Sequence, residues 1–117
     1  MLMKRLRLLT LFALLPITLY AASGAPVLDG YLEPAGYSQL SVLSSAAGLG
    51  TIPNGVKLTL IQAESQDIRW RDDGVNPTAS VGMVLEAGQT LVYNGNPAAF
   101  KAIETTASAK LNITFYR

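Results

Sequence analysis

The chain of 117 residues contains no cysteine and no histidine. Without cysteine there are no disulfides, although exported domains of this size often rely on them. Stability must then come from a packed core, from self-association, or from both. Without histidine, no Ser-His-Asp or Cys-His nucleophile can be assembled, and zinc lacks its usual ligand set. Most hydrolase chemistry is thereby closed. Charge is scarce too: 15% of the residues are Asp, Glu, Lys or Arg while 50% are hydrophobic, a balance that favours folding over disorder. The length corresponds to one small domain.

A long apolar run is also missing, with one partial exception. "MLMKRLRLLTLFALLPITLYAASGA" sets Lys4, Arg5 and Arg7 before a nearly unbroken apolar run over residues 8–19, and small residues follow. This basic, apolar, small-residue layout is that of a secretory signal. The run falls short of the ~20 apolar residues that a spanning helix needs, and Pro16 lies late in it. Residues 1–23 are therefore expected to be an apolar, signal-like helix cut after Ser23; Pro26 speaks against a cut after Ala25. The alternative is an uncleaved apolar arm. Cleavage would leave an exported protein, periplasmic or extracellular, with no stable membrane span in its mature form.

The leader also holds three of the nine basic residues and none of the eight acidic ones. The remainder has six basic against eight acidic residues, a net charge of −2. No basic patch is left for a polyanion, which argues against nucleic acid as a partner.

What is present after the leader is β patterning. "AKLNITFYR" alternates, with Leu111, Ile113 and Phe115 on one face and Asn112, Thr114 and Tyr116 on the other. Further strands are expected over residues 37–45, with Leu40 and Val42, and over 56–65, with Leu58 and Leu60 sharing a face. "VGMVLEAG" puts Val81, Met83 and Leu85 on one side. "TLVYNGNP" pairs Leu91 with Tyr93 before an Asn94-Gly95 turn, and residues 100–106 form another short strand. Turn chemistry recurs about every ten residues, and no segment after Ala25 keeps helical periodicity for three turns. The expected fold is all-β: a compact antiparallel β-sandwich or jelly-roll-like domain of six to seven short strands over residues 37–117, after an extended lead-in over 24–36.

One segment raises a functional question. "IRWRDDGVN" sets Trp70 between Arg69 and Arg71 and follows it with Asp72, Asp73 and Gly74. In a strand, Ile68 and Trp70 would pack inward while the arginines line the outer face and pair with Glu64 or Asp67. Asp72 and Asp73 would bond to the backbone of a turn in which Gly74 supplies a positive φ. Three sharper readings compete with this structural one. Sugar binding would use exposed Trp70 or Tyr93 as a stacking platform, with Arg69, Arg71 and Asp72 as polar partners. Calcium would use Asp72, Asp73 and the Asn76 carbonyl, but the spacing lacks the ligand ladder of an EF-hand loop. A glycosidase would need two of Glu64, Asp67, Asp72 and Asp73, and paired carboxylates beside turns are common.

Two smaller signals carry nothing. Asn112-Ile113-Thr114 matches a glycosylation sequon inside an expected strand. "GLGTIPNG" lacks the lysine and following helix of a phosphate cradle.

The ordered series "QLSV", "IPNG", "LIQAE", "RWRDDG", "PTASVGM", "LEAGQTL" and "AKLNITFY" resembles a family of small β-sandwich proteins of tailed phages and prophages, over about residues 36–117. The resemblance implies a virion structural or capsid decoration role, with no catalytic residue to carry over and no cofactor, and with partners that are its own copies and other structural proteins. Gly74, Pro77, Gly82 and Gly88 match turn positions of the pattern. The leader departs from it, because a virion component assembled in the cytoplasm has no use for a signal. An upstream start, an apolar arm kept for assembly, and a phage-type domain taken over for export all fit.

The expectation is thus a non-enzymatic domain without cofactor or metal, located in a virion if phage-structural and exported otherwise. Arg69, Trp70, Arg71, Asp72, Asp73 and Tyr93 form the candidate interaction surface. The alternative is an exported carbohydrate- or surface-binding module.

Overall fold

The computed structural model describes residues 30–117. The signal-like segment 1–23, its cleavage site and the lead-in as far as residue 29 lie outside the described residues. Leu32–Arg117 forms one compact unit. It contains β1 (Pro34–Leu40), β2 (Leu58–Glu64), β3 (Ile68–Arg71), β4 (Met83–Leu85), β5 (Thr90–Tyr93), β6 (Lys101–Glu104) and β7 (Lys110–Tyr116), with a 3-10 turn at Pro97–Ala99 between β5 and β6. The strands form two antiparallel sheets, one ordered β1-β7-β2-β5 and the other β4-β3-β6. The all-β, sandwich-like expectation holds.

β7 is the centre of the larger sheet and shows why. Its strict alternation sends Leu111, Ile113 and Phe115 into the core, all fully or almost fully buried. Burying each such side chain is worth about 1.5–3 kcal/mol relative to leaving it in water. Neighbouring β2 buries Thr59, Ile61 and Ala63. Leu58 and Leu60 do share a face, but it is the outward one, where they stay half-buried. From the other sheet, Ile68, Leu85 and Ala102 meet this layer, and Phe100 fills the space between the sheets.

β1 departs from expectation at both ends. It begins at Pro34, inside the segment read as lead-in, and its register shifts between Pro34 and Gly36. A proline and a bulge at the start of an edge strand both limit further pairing there. The strand stops at Leu40 instead of continuing through Ser45, and Val42 is 75% exposed while Leu43 is buried. The alternation breaks because the chain leaves this sheet and crosses to the other. There Ala47 bridges Ala102, and the Glu104 N–H donates to the Leu43 carbonyl. The segment 43–47 therefore lies along the free side of β6, and Leu43 and Leu49 enter the core beside it.

Most later connections also change sheets. β2 passes to β3 through Ser65, a non-glycine residue at φ 76, and β6 passes to β7 through Ser108 at φ 74. Between β4 and β5 the chain turns through Gly88 at φ 87, whose N–H donates to the Ala63 carbonyl. Asn94-Gly95 makes no hairpin, because β5 and β6 belong to different sheets.

Candidate functional site

The segment singled out in the sequence lies at one end of the three-stranded sheet, on β3, the turn after it and the loop leading into β4. Ile68 is fully buried, and Trp70 is partly buried with its ring stacked on Phe100 at 5.1 Å between centroids and 17° between planes. Tyr93 comes from the opposite sheet and meets both rings edge-on, at 6.0 Å from Trp70 and 5.2 Å from Phe100. The three aromatics thus tie the sheets together, a geometry that adds to simple area burial.

Tyr93 is only 6% exposed. The expectation of an exposed tyrosine platform is corrected: its ring belongs to the core, and only its hydroxyl reaches the surface groups. That hydroxyl lies 2.9 Å from Asp72 Oδ2 and 3.1 Å from the Asn96 carbonyl, so it donates toward either. Burial first, and the Asp72 carboxylate second, push its pKa up to about 12. Gly95 is needed under this ring for lack of space. A Cβ there would sit 2.5 Å from the Tyr93 hydroxyl and 2.6 Å from its ring.

The two arginines have different tasks, and neither pairs with Glu64 or Asp67. Arg69 donates from Nε to the Ala79 carbonyl at 3.1 Å and from Nη1 to the Gly82 carbonyl at 2.8 Å. It therefore clasps the loop before β4. That loop is closed on itself at Thr78 and Val81, which exchange backbone hydrogen bonds, while Pro77 is buried beneath it. Gly82, at φ 141, allows the close approach. A Cβ on it would lie 3.1 Å from the Trp70 carbonyl and 3.2 Å from both Arg69 Cβ and Pro77 Cβ.

Arg71 instead forms a two-pronged ion pair with Asp73, Nε to Oδ1 at 3.0 Å and Nη2 to Oδ2. The guanidinium's hydrogen bonds hold the Asp73 carboxyl below its usual pKa, and the carboxylate raises that of Arg71. Gly74 takes the expected positive φ of 85. The expectation that both aspartates bond to the turn backbone holds in part for Asp73, whose carboxylate meets the Asp73 and Val75 backbone as well as Arg71, and is corrected for Asp72, which meets the Tyr93 hydroxyl.

The four carboxylates weighed for acid-base work are dispersed. Asp67 accepts from the Ala87 N–H at 2.8 Å, and Glu64 lies beside Lys110 and Asn112 on the outside of the other sheet. Asn76, whose carbonyl was weighed as a calcium ligand, lies in the exposed loop. Among the described residues, no group of three or more Asp or Glu side chains is placed to hold a metal ion.

What the segment does form is a cleft of about 440 Å³ walled by Trp70, Arg71, Asp73, Val81, Gly82 and Met83. Its apolar rim was missed in the sequence, where Val81 and Met83 read as core partners of Leu85. Only Leu85 is buried; Met83 is 61% exposed, and Val75, Val81 and Val84 are exposed as well. The structural reason is β4's brevity, since three residues at a sheet edge leave the outer part of the alternating row without a layer to cover it. No family model, no curated protein and no solved structure matches the chain.

Proposed function

We propose that the domain is a non-enzymatic, phage-type virion structural or decoration protein that self-associates and docks on a protein lattice. The observation that carries this reading is the exposed apolar pair of Val81 and Met83 on the cleft, with Val84 exposed on the other face of the edge strand β4. β4 is paired on one side only, with β3, whereas the outer side of β6 is lined by residues 43–47. Exposed apolar clusters of this kind mark protein contact sites.

The winding lends support of a coarser sort. If residues 43–47 are counted as a strand beside β6, the eight strands run 1-8-3-6 in one sheet and 2-7-4-5 in the other. That order is jelly-roll-like, an architecture common in viral capsid proteins. Fold-level analogy does not establish a role, so the rim carries the argument.

Arg69 enters this reading as the clasp of the loop that carries Val81, whereas Arg71, paired with the exposed Asp73, lines the cleft as a contact residue. Light scattering on the full chain tests the proposal. A discrete oligomer is expected that Met83→Asp together with Val81→Asp reduces to a monomer of unchanged melting temperature. A wild-type monomer at every concentration, or an oligomer indifferent to both changes, would reject it. The exported sugar-binding alternative loses Tyr93 as a platform, because its ring is buried, whereas Trp70, stacked on Phe100, still lines the cleft.

A further inference from the structure

A different surface has the chemistry of a ligand site. The antiparallel register of the four-stranded sheet places Gln39, Asn112, Gln62 and Thr90 in one row across its outer face. The next row is Tyr37, Thr114, Leu60 and Val92. Residues of these two rows, together with Glu64, line an open groove of about 460 Å³. We propose that this groove binds a neutral oligosaccharide. The inference does not depend on self-association, which concerns the other sheet.

Three features carry it. The first is an organised row of amides. Asn112 Oδ1 accepts from the Tyr37 hydroxyl at 2.8 Å and from Gln39 Nε2 at 2.9 Å, and Asn112 Nδ2 donates toward Gln62 Oε1 at 3.3 Å. Each glutamine is thereby oriented with its other group free of that row: Gln39 offers its carbonyl and Gln62 its amide N–H. Sugar hydroxyls both donate and accept, and a fixed acceptor on β1 with a fixed donor on β2, on either side of β7, can meet two separate hydroxyls of one oligosaccharide. Holding these groups in place before binding lowers the ordering cost of association.

The second feature is Tyr37, 64% exposed at the sheet edge and steadied through its hydroxyl. Its ring presents an apolar face beside polar partners, as the C–H face of a pyranose requires. The third is charge. Neither row contains an ionisable acid or base other than the tyrosine phenol, and the charged group that lines the groove beside them is an acid, Glu64, which accepts from Asn112 Nδ2 at 3.4 Å and lies 3.9 Å from Lys110. Exposed sheet faces are ordinarily made soluble with mixed charges. A face of amides and hydroxyls offers nothing to compensate a sulfate or carboxylate, which selects a neutral glycan over an anionic one.

The test is a titration of the isotopically labelled full chain with neutral gluco-, manno- and galacto-oligosaccharides, with heparin fragments as the anionic arm. Expected are shifts of the side-chain amide signals of Gln39, Gln62 and Asn112 with a neutral sugar and none with heparin. Tyr37→Ala should weaken binding roughly tenfold, equivalent to about 1.4 kcal/mol. Tyr37→Phe, which keeps the ring, should retain most of it, and so guards against a loss caused by misfolding. Absence of shifts with every neutral sugar would overturn the proposal. So would preference for heparin, shifts confined to the Trp70 cleft, or undiminished binding by Tyr37→Ala.

Discussion

The two sheets of this sandwich are built by different means. In the four-stranded sheet, β2 and β7 are seven residues each and pair along their whole length, so the backbone ladder and one alternating apolar face do most of the holding. In the three-stranded sheet the strands are three or four residues long, and cross-links by side chains supplement the ladder. Arg69 reaches two carbonyls of the preceding loop of β4, Tyr93 reaches across to Asp72, and Trp70 lies flat on Phe100. The lesson concerns how charge and aromaticity should be weighed. In a small domain without disulfides, a short strand flanked by arginines and aspartates is the place where polar side chains replace missing ladder bonds, and the same composition imitates a ligand site.

Substitutions can break or sharpen this contrast. The largest loss is expected in the long-strand sheet: Phe115→Ala should cost about 3–5 kcal/mol in urea denaturation, a large part of the stability of a domain of this size. Leu85→Ala in β4 should fall near the low end of the range for leucine, about 2–3 kcal/mol, because the edge can relax into solvent. Equal losses at the two positions would remove the distinction. Gly95→Ala should follow at about 1–3 kcal/mol, because the new methyl group displaces the Tyr93 ring. A red shift of Trp70 emission should accompany it, since Tyr93 packs against that ring.

Among the cross-links, Arg69→Ala should cost about 1 kcal/mol and open the loop around Ala79 to proteolysis. Arg71→Ala should leave both readouts unchanged, since its partner Asp73 is exposed. A further effect depends on pH. The Tyr93 pKa is raised from 10.0 to about 12 in the folded protein, so the unfolded chain ionises first. The stabilisation is complete below pH 10 and disappears as pH rises through about 12. Denaturation midpoints at pH 9 and pH 11 should therefore differ more for the native sequence than for Tyr93→Phe.

The contrast also explains what could be read in advance. β7 was legible because seven residues of strict alternation admit one face to the core. The inward placement of Ile68 and Trp70, and the positive φ of Gly74, followed from local rules. Val42 misled because alternation says nothing about where a strand leaves its sheet, and Leu43 is the residue that turns inward. Tyr93 misled because its burial depends on Phe100 and on the bare backbone at Gly95. The amide row was invisible for a further reason: Gln39, Gln62 and Asn112 are far apart in sequence, and only the register of three strands aligns them.

The position of β7 between β1 and β2 has a kinetic consequence. Of the three pairings in the larger sheet, only β2 with β5 can form before residues 110–116 are available. A nascent chain must therefore carry β1 unpaired, with one side of β2 open, until its closing strand leaves the ribosome. Such non-local closure slows folding and exposes edges that can join the wrong neighbour. Synthesis of this domain thus has a vulnerable interval that ends only when its last strand inserts.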